Sequence, residues 1–219
     1  EPANPGVVFP SSPTNIGTTT VTLASDAVSW EYSINAGIDW THINWTLGDE
    51  ATFLLPHGNY AINDIRVRNT DEIGNVSGTT MNASEIIIDT IPPTWPDVAF
   101  PSSPTNIGTV TVTPTNDAVS WDYTINGNTD DIVWTLGVGN TFLLTHGVYA
   151  SNQIRVRNKD AVGNYSQSTN NATELIIDTM VPGWPDVDFP NSPTNNGIVT
   201  VTPVIDAVSW EYTLNGNTD

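Results

Sequence analysis

The feature that most restricts this chain is internal repetition. The block Val-Ser-Trp occurs three times, placing Trp30, Trp121 and Trp210 at spacings of 91 and then 89 residues. The run Phe9-Pro10-Ser11-Ser12-Pro13-Thr14-Asn15 returns at Phe100–Asn106 and, with one change, at Phe189–Asn195. The junction Ile88-Asp89-Thr90-Ile91-Pro92-Pro93-Thr94-Trp95-Pro96-Asp97 returns as Ile177-Asp178-Thr179-Met180-Val181-Pro182-Gly183-Trp184-Pro185-Asp186. Repetition at a fixed period means that one small fold is used several times. The chain of 219 residues therefore divides into a unit at 1–91, a unit at 92–181 and an incomplete unit at 182–219. The second unit is two residues shorter, and the loss falls in a loop between Asn126 and Trp134. About 90 residues suffice for one modest core and little more.

Within a unit the apolar residues alternate, which is the period of a half-buried strand. Val28, Trp30, Tyr32 and Ile34 are interleaved with Ser29, Glu31 and Ser33, and the pattern holds at Val119–Ile125 and Val208–Leu214. A Thr/Val run precedes each copy, at Thr19–Leu23, Val110–Val112 and Val199–Val201. Downstream come Thr52–Leu55, Ile65–Arg68 and Ile86–Ile88, matched by Thr141–Leu144, Ile154–Arg157 and Leu175–Ile177. About seven strands in such a length, with turn residues between them, predict an all-β array of tandem immunoglobulin-like or fibronectin-III-like antiparallel sandwiches. Another Greek-key β fold is the alternative. His57-Gly58-Asn59-Tyr60 and His146-Gly147-Val148-Tyr149 stand where a tyrosine corner belongs, with the histidines supporting that corner.

Taken together, Val28–Asn35, Thr52–Ala61, Ile65–Ser77 and Ile86–Pro93 resemble the bacterial immunoglobulin-like repeats of giant surface adhesins. The resemblance covers both full units and the start of the third. It rests on the Trp-x-Tyr-Ser block, the Gly-x-Tyr block, the Val-x-x-x-Asp-x-x-Gly-Asn-x-Ser block and the Asp-Thr-x-x-Pro linker. One departure is the loop after Trp-x-Tyr-Ser, where Ala36–Thr41 lacks the usual double glycine and Asn126-Gly127-Asn128 stands in the second unit. The resemblance implies an extracellular, cell-surface array that works as an extender, with calcium stiffening the joints.

Charge narrows the partners. Asp and Glu number 24 against five basic residues, a net charge of −19, and every basic residue lies at or beside the repeated Ile-Arg-Val-Arg-Asn motif. Nucleic acid is a poor partner for such a surface, and so is an anionic membrane. No apolar run is long enough for membrane insertion, and any export signal or anchor is expected outside this stretch. Cysteine is absent, so disulfides cannot staple these small units, and a metal is the natural substitute. Neither a nucleophile elbow nor a phosphate-cradling loop occurs, which argues against an enzyme.

The acids define the candidate site. If the loops after the second strand and before the last share one pole, Asp117 and Asp160 there meet Asp89 and Asp97 of the linker. Asp26 and Asp71 are the counterparts in the first unit, and Asp178, Asp186 and Asp206 those entering the third. Several carboxylates in one place need a cation, and calcium, which takes about six to eight oxygen ligands, suits loops best. Zinc would want His or Cys, which the junction lacks in this reading. Water-facing, turn-capping aspartates are the plain alternative. Asn126-Gly127-Asn128-Thr129-Asp130-Asp131 starts like a calcium loop but reads better as a turn. Glu31 and Asp122 read as solvent-facing. Trp45 and Trp134 are expected to close the sandwich edge, and Trp95 and Trp184 to pack the hinge. Were these tryptophans free, a carbohydrate-binding module would be the rival reading. The expected partners are thus neighbouring repeats of the same chain; the distal ligand of such a stalk is not written in its repeats.

Overall fold

The computed structural model describes residues 1–35 and 43–214. The whole Ala36–Thr41 loop with Trp40, together with His42 and Asn215–Asp219, lies outside the described residues.

The first unit is built from β1 (Gly6–Val8), β2 (Thr18–Thr22), β3 (Ser29–Ser33), β4 (Thr46–Leu47), β5 (Thr52–Leu54), β6 (Gly58–Tyr60), β7 (Arg66–Thr70), β8 (Val76–Met81) and β9 (Ile86–Ile88). The second repeats this order as β10 (Asp97–Ala99), β11 (Thr109–Thr113), β12 (Ser120–Thr124), β13 (Thr135–Leu136), β14 (Thr141–Leu143), β15 (Gly147–Tyr149), β16 (Arg155–Lys159), β17 (Thr169–Asn170) and β18 (Leu175–Ile177). In the third, β19 (Asp186–Asp188) pairs with β20 (Thr200–Thr202).

Each full unit places a three-stranded sheet, β1-β2-β5 or β10-β11-β14, opposite a four-stranded one, β4-β3-β7-β8 or β13-β12-β16-β17. A two-stranded ribbon, β6-β9 or β15-β18, completes each unit. All these ladders are antiparallel, as the short connections require. The chain is therefore an all-β tandem of immunoglobulin-like sandwiches. Each full unit has more strands than the alternation suggested, whereas the Val208–Leu214 copy of the alternation in the third unit forms no strand. Three elements of the first unit had no period-2 apolar signal: β4 is two exposed residues, β6 is a corner and β8 is mostly Ser, Gly and Thr.

The core follows the alternation in part: Trp30 and Trp121 are buried and Tyr32 and Tyr123 half-buried, but Val28 and Val119 are exposed, and Ser33 and Thr124 of the other face are buried. Val21, Trp30, Phe53, Leu55, Tyr60, Ile65, Val67, Ile86 and Ile88 form one buried cluster. Their counterparts from Val110 to Ile177 form a second. The tryptophan is the plug: its Nε1 donates to the Glu50 carbonyl at 3.0 Å in the first unit and to the Gly139 carbonyl at 3.0 Å in the second. A glycine lies against each ring, because a Cβ at Gly48 or Gly137 would come within 2.1 or 2.2 Å of it. The tyrosine corners form as expected, Tyr60 Oη donating to the Pro56 carbonyl at 3.0 Å and Tyr149 Oη to that of Thr145 at 3.1 Å.

Polar residues carry as much of the architecture. Asn82 and Asn171 are 1% exposed. Asn171 Oδ1 accepts the Ile154 N–H, and its Nδ2 donates to the carbonyls of Ala150 and Thr173. The Asn82 amide repeats this with Ile65, Ala61 and Ser84. Such a side chain substitutes for missing backbone partners where two strands part.

Glu31 and Asp122 do not face solvent alone. Arg68 lies 2.7 Å from Glu31 and Arg157 3.2 Å from Asp122. The same guanidinium groups stack on Trp45 and Trp134, each at 3.9 Å, and Arg157 also on Tyr165 at 3.7 Å. A planar, weakly hydrated cation suits a ring face and a carboxylate together.

Candidate functional site at the unit junction

The segment between the units is bonded along its length. Asp89 N–H donates to the Thr14 carbonyl at 2.8 Å, Thr90 N–H to His57 Nδ1 at 3.3 Å and Ile91 N–H to Asp89 Oδ1 at 3.1 Å. Pro92 and Pro93 follow and have no N–H to satisfy. From Thr94 onward the partners belong to the second unit. Thr94 N–H donates to Asp117 Oδ2 at 3.2 Å, and its carbonyl accepts from Asn158 Nδ2 at 2.9 Å. Thr169 Oγ1 donates to the Pro96 carbonyl at 2.7 Å. The prolines thus separate a segment bonded to one unit from a segment bonded to the next.

A third set of bonds bridges the two bodies. In the β16–β17 loop, Asp160 Oδ1 accepts the N–H groups of Val162, Gly163 and Asn164 at 3.0, 2.8 and 2.8 Å. Asn164 Nδ2 donates to Asp160 Oδ2 at 2.8 Å, to the Asp89 carbonyl at 2.8 Å and, more weakly, to the Ile91 carbonyl at 3.4 Å. Asn164 Oδ1 accepts from Asn15 Nδ2 at 3.2 Å. One amide from the second unit therefore touches the linker and the first unit together. Gly163 makes this loop possible: its φ is +99°, and a Cβ there would lie 3.8 Å from Asn15 Nδ2.

The acids named from the sequence fall into distinct roles. Asp117 and Asp160 do reach the linker, from the two loops expected. Each is engaged by N–H or O–H donors rather than by a common centre. Asp117 is held below the ordinary aspartate value of 3.8, first by the Thr115 hydroxyl and then by the Thr94 N–H. Asp71 is held low in the same direction, first by the Asn75 side chain. Asp97 opens β10 opposite Thr113 and is exposed. Asp178 accepts the Met180 N–H at 3.1 Å and lies 3.3 Å from His146 Nδ1. Asp186 opens β19, and Asp26 and Asp206 sit in exposed turns.

Among the described residues no group of three or more His, Cys, Asp or Glu is placed to hold one metal ion. Asp160 spends Oδ1 on three N–H donors, and Asn164 turns donors toward the linker. In this arrangement the carboxylates do not fit one shared calcium ion, which would need oxygens facing inward. Calcium here is a proposal that requires these side chains to move. The junction is not free of histidine, as the sequence reading had it. His57 Nδ1 lies 3.5 Å from Asp89 Oδ1, so this residue serves the linker rather than the tyrosine corner.

One further expectation changes, and one holds. Trp95 and Trp184 are 58% and 94% exposed, so they do not pack the hinge. The Asn126 loop is a braced turn, with Asn126 Nδ2 donating to the Asp131 carbonyl at 2.9 Å and Asn126 Oδ1 accepting the Val133 N–H at 3.3 Å. What sequence reasoning missed is Asn15 and Asn164. Their signal was there: each sits in a block repeated between units, Thr-Asn after Ser-Pro and Gly-Asn before the β17 strand.

No family model and no curated protein matches the chain. Among solved structures, the fibronectin(III)-like modules of CbhA from Clostridium thermocellum are similar at 12% identity and a TM-score of 0.43, over 78% of this chain and 94% of that one. The FN1–FN3 domains of chicken CNTN1 are similar at 14% identity and a TM-score of 0.29, over 87% of this chain and 73% of that one. The sandwich architecture itself rests on the strand pairing described above: this chain is a tandem of β-sandwich units.

Proposed function

We propose that this chain is an extender segment of a secreted bacterial adhesin, holding a distal binding domain away from a cell surface. The work is mechanical. Each unit adds roughly 30–40 Å, the length of strands of ordinary size with their loops. Prolines limit the linker, and repetition lets length be set by copy number. The observation that carries the reading is the Asn164 bridge, which joins Asn15, the linker and the second unit. A binding module on a tether gains nothing from such a joint; a stalk does.

The test is the distance distribution between spin labels on exposed positions of the two full units. A narrow distribution that broadens in Asn164→Ala supports an extender. A broad one in the unaltered chain removes the mechanical role. Calcium is tested in the same samples. If it binds at this joint, chelator broadens the distribution and calcium restores it; if chelator changes nothing, the joint is held by hydrogen bonds alone.

A carbohydrate-binding role is the second reading, and the exposure of Trp95 and Trp184 favours it, since exposed indole faces stack on sugars. Glycan-array binding that disappears in Trp95→Ala would establish it.

A further inference from the structure

The two full units record one loop in two situations. In the second unit, Asp160–Asn164 is seated on the first unit. In the first, Asp71–Asn75 has closely matching internal bonds, short of the one from the glycine N–H to the carboxylate: Asp71 Oδ1 accepts the N–H groups of Ile73 and Asn75 at 3.1 and 2.8 Å, and Asn75 Nδ2 donates to Asp71 Oδ2 at 2.9 Å. Gly74 has φ of +87° against +99° at Gly163. The difference lies outside the loop. A Cβ at Gly163 would find Asn15 at 3.8 Å, whereas at Gly74 it would find nothing within 4 Å. Among the described residues Asn75 bonds only within its own loop, and it is exposed.

The approach to this loop is also set. Asn69 Nδ2 donates to the Ala3 carbonyl at 3.0 Å and Thr80 Oγ1 to that of Pro5 at 2.7 Å. Asn158 and Thr169 hold Thr94 and Pro96 in the same way, at 2.9 and 2.7 Å. Glu1–Pro5 therefore lies on the first unit as Pro92–Pro96 lies on the second.

The complementary surface is repeated too. At the far pole of the second unit, Asp178 N–H donates to the Thr105 carbonyl at 2.8 Å, as Asp89 N–H does to that of Thr14. Met180 N–H donates to Asp178 Oδ1 at 3.1 Å, as Ile91 N–H does to Asp89 Oδ1. Asn106 stands there in the place of Asn15.

We propose that the Asp71–Asn75 loop is a docking surface for the Asp-Thr end of another unit of this same repeat, with Asn75 Nδ2 taking the carbonyls that Asn164 takes from Asp89 and Ile91. Its partner is a sandwich carrying Thr-Asn after the Ser-Pro turn and a free carbonyl at the linker aspartate. The loop is already shaped, so docking orders little that was mobile. Each unit then carries a socket at one pole and a plug at the other, a head-to-tail contact that propagates without closing. This inference rests on the extender reading and on its bridge.

The chain holds no cysteine, so disulfide trapping has no background. An extended chain carries an additional copy of residues 1–91 joined ahead of Glu1. One variant pairs Asn15→Cys of the original first unit with Asn164→Cys, reporting the known junction. A second pairs Asn15→Cys of the added copy with Asn75→Cys, reporting the new one. Spin-label distances across both junctions, without cysteines at the contact, guard against loss of the loop bonds by substitution. Equal trapping in the two variants, with equally narrow distances that broaden in Asn75→Ala, is the expected result. Trapping and narrow distances at the known junction alone would overturn the docking surface and leave the extender standing. Failure at the known junction would remove both.

Discussion

The side-chain amide of Asn164 lies 2.8 Å from the main-chain carbonyl of Asp89, across a sequence separation of 75 residues and from one sandwich to the linker of the other. The same side chain accepts from Asn15 at 3.2 Å. A joint built this way is directional, and small changes in one amide should be read out as changes in shape.

Asn164→Ala removes the bonds to Asp89, Ile91 and Asn15 while leaving both cores untouched. At about 1 kcal/mol net for each of the two stronger bonds, to Asp89 and Asn15, the coupling between units should fall by about 2 kcal/mol. The expected outcome is a lower melting temperature for whichever unit is stabilised by its neighbour, with unchanged circular dichroism. Additive, unaltered melting of both units would show that the bridge carries no coupling.

Gly137 lies against Trp121, where an added Cβ would approach the ring at 2.2 Å. Gly137→Ala should cost about 2–3 kcal/mol through overpacking, read as a lower urea midpoint for the second unit. Gly139 is the control. It has φ of +66° with open space around it, so Gly139→Ala should cost only about 1–2 kcal/mol, from backbone conformation alone.

Asn171 is 1% exposed and satisfies three backbone groups. Asn171→Ala strands a buried N–H and two carbonyls, and should destabilise the second unit by about 2–4 kcal/mol. Denaturant titration of the variant checks this; a midpoint within error of the parent would mean that water reaches these groups.

Acid should loosen the joint from one side. Asp117 titrates below its ordinary value of 3.8, so its contribution is fully present above that value and lost as pH falls through the lower folded value. The Thr94 amide resonance, whose N–H is bonded to this carboxylate, should stay constant near neutrality and move only as pH falls below the ordinary aspartate value of 3.8. A Thr94 resonance that stays constant through that fall would show that the Asp117 carboxylate is not its partner.

The period of the repeat, the alternation around Trp30 and Trp121, and the tyrosine corners were all legible in the amino-acid sequence. Each is local: side chains two residues apart share a face, and a tyrosine four residues from its acceptor needs no distant partner. The convergence of the Asp117 and Asp160 loops on the linker was legible too, since it follows from sandwich topology. Which atoms meet there was not. Asp71, Asp117 and Asp160 accept N–H groups, because the turns and linker beside them supply donors. Trp45 and Trp134, expected at the sandwich edge, are stacked on Arg68 and Arg157, whereas Trp95, expected in the hinge, is exposed. The choice between a carboxylate's competing partners depends on ångström placement of groups distant in sequence. Only the packed chain sets that placement.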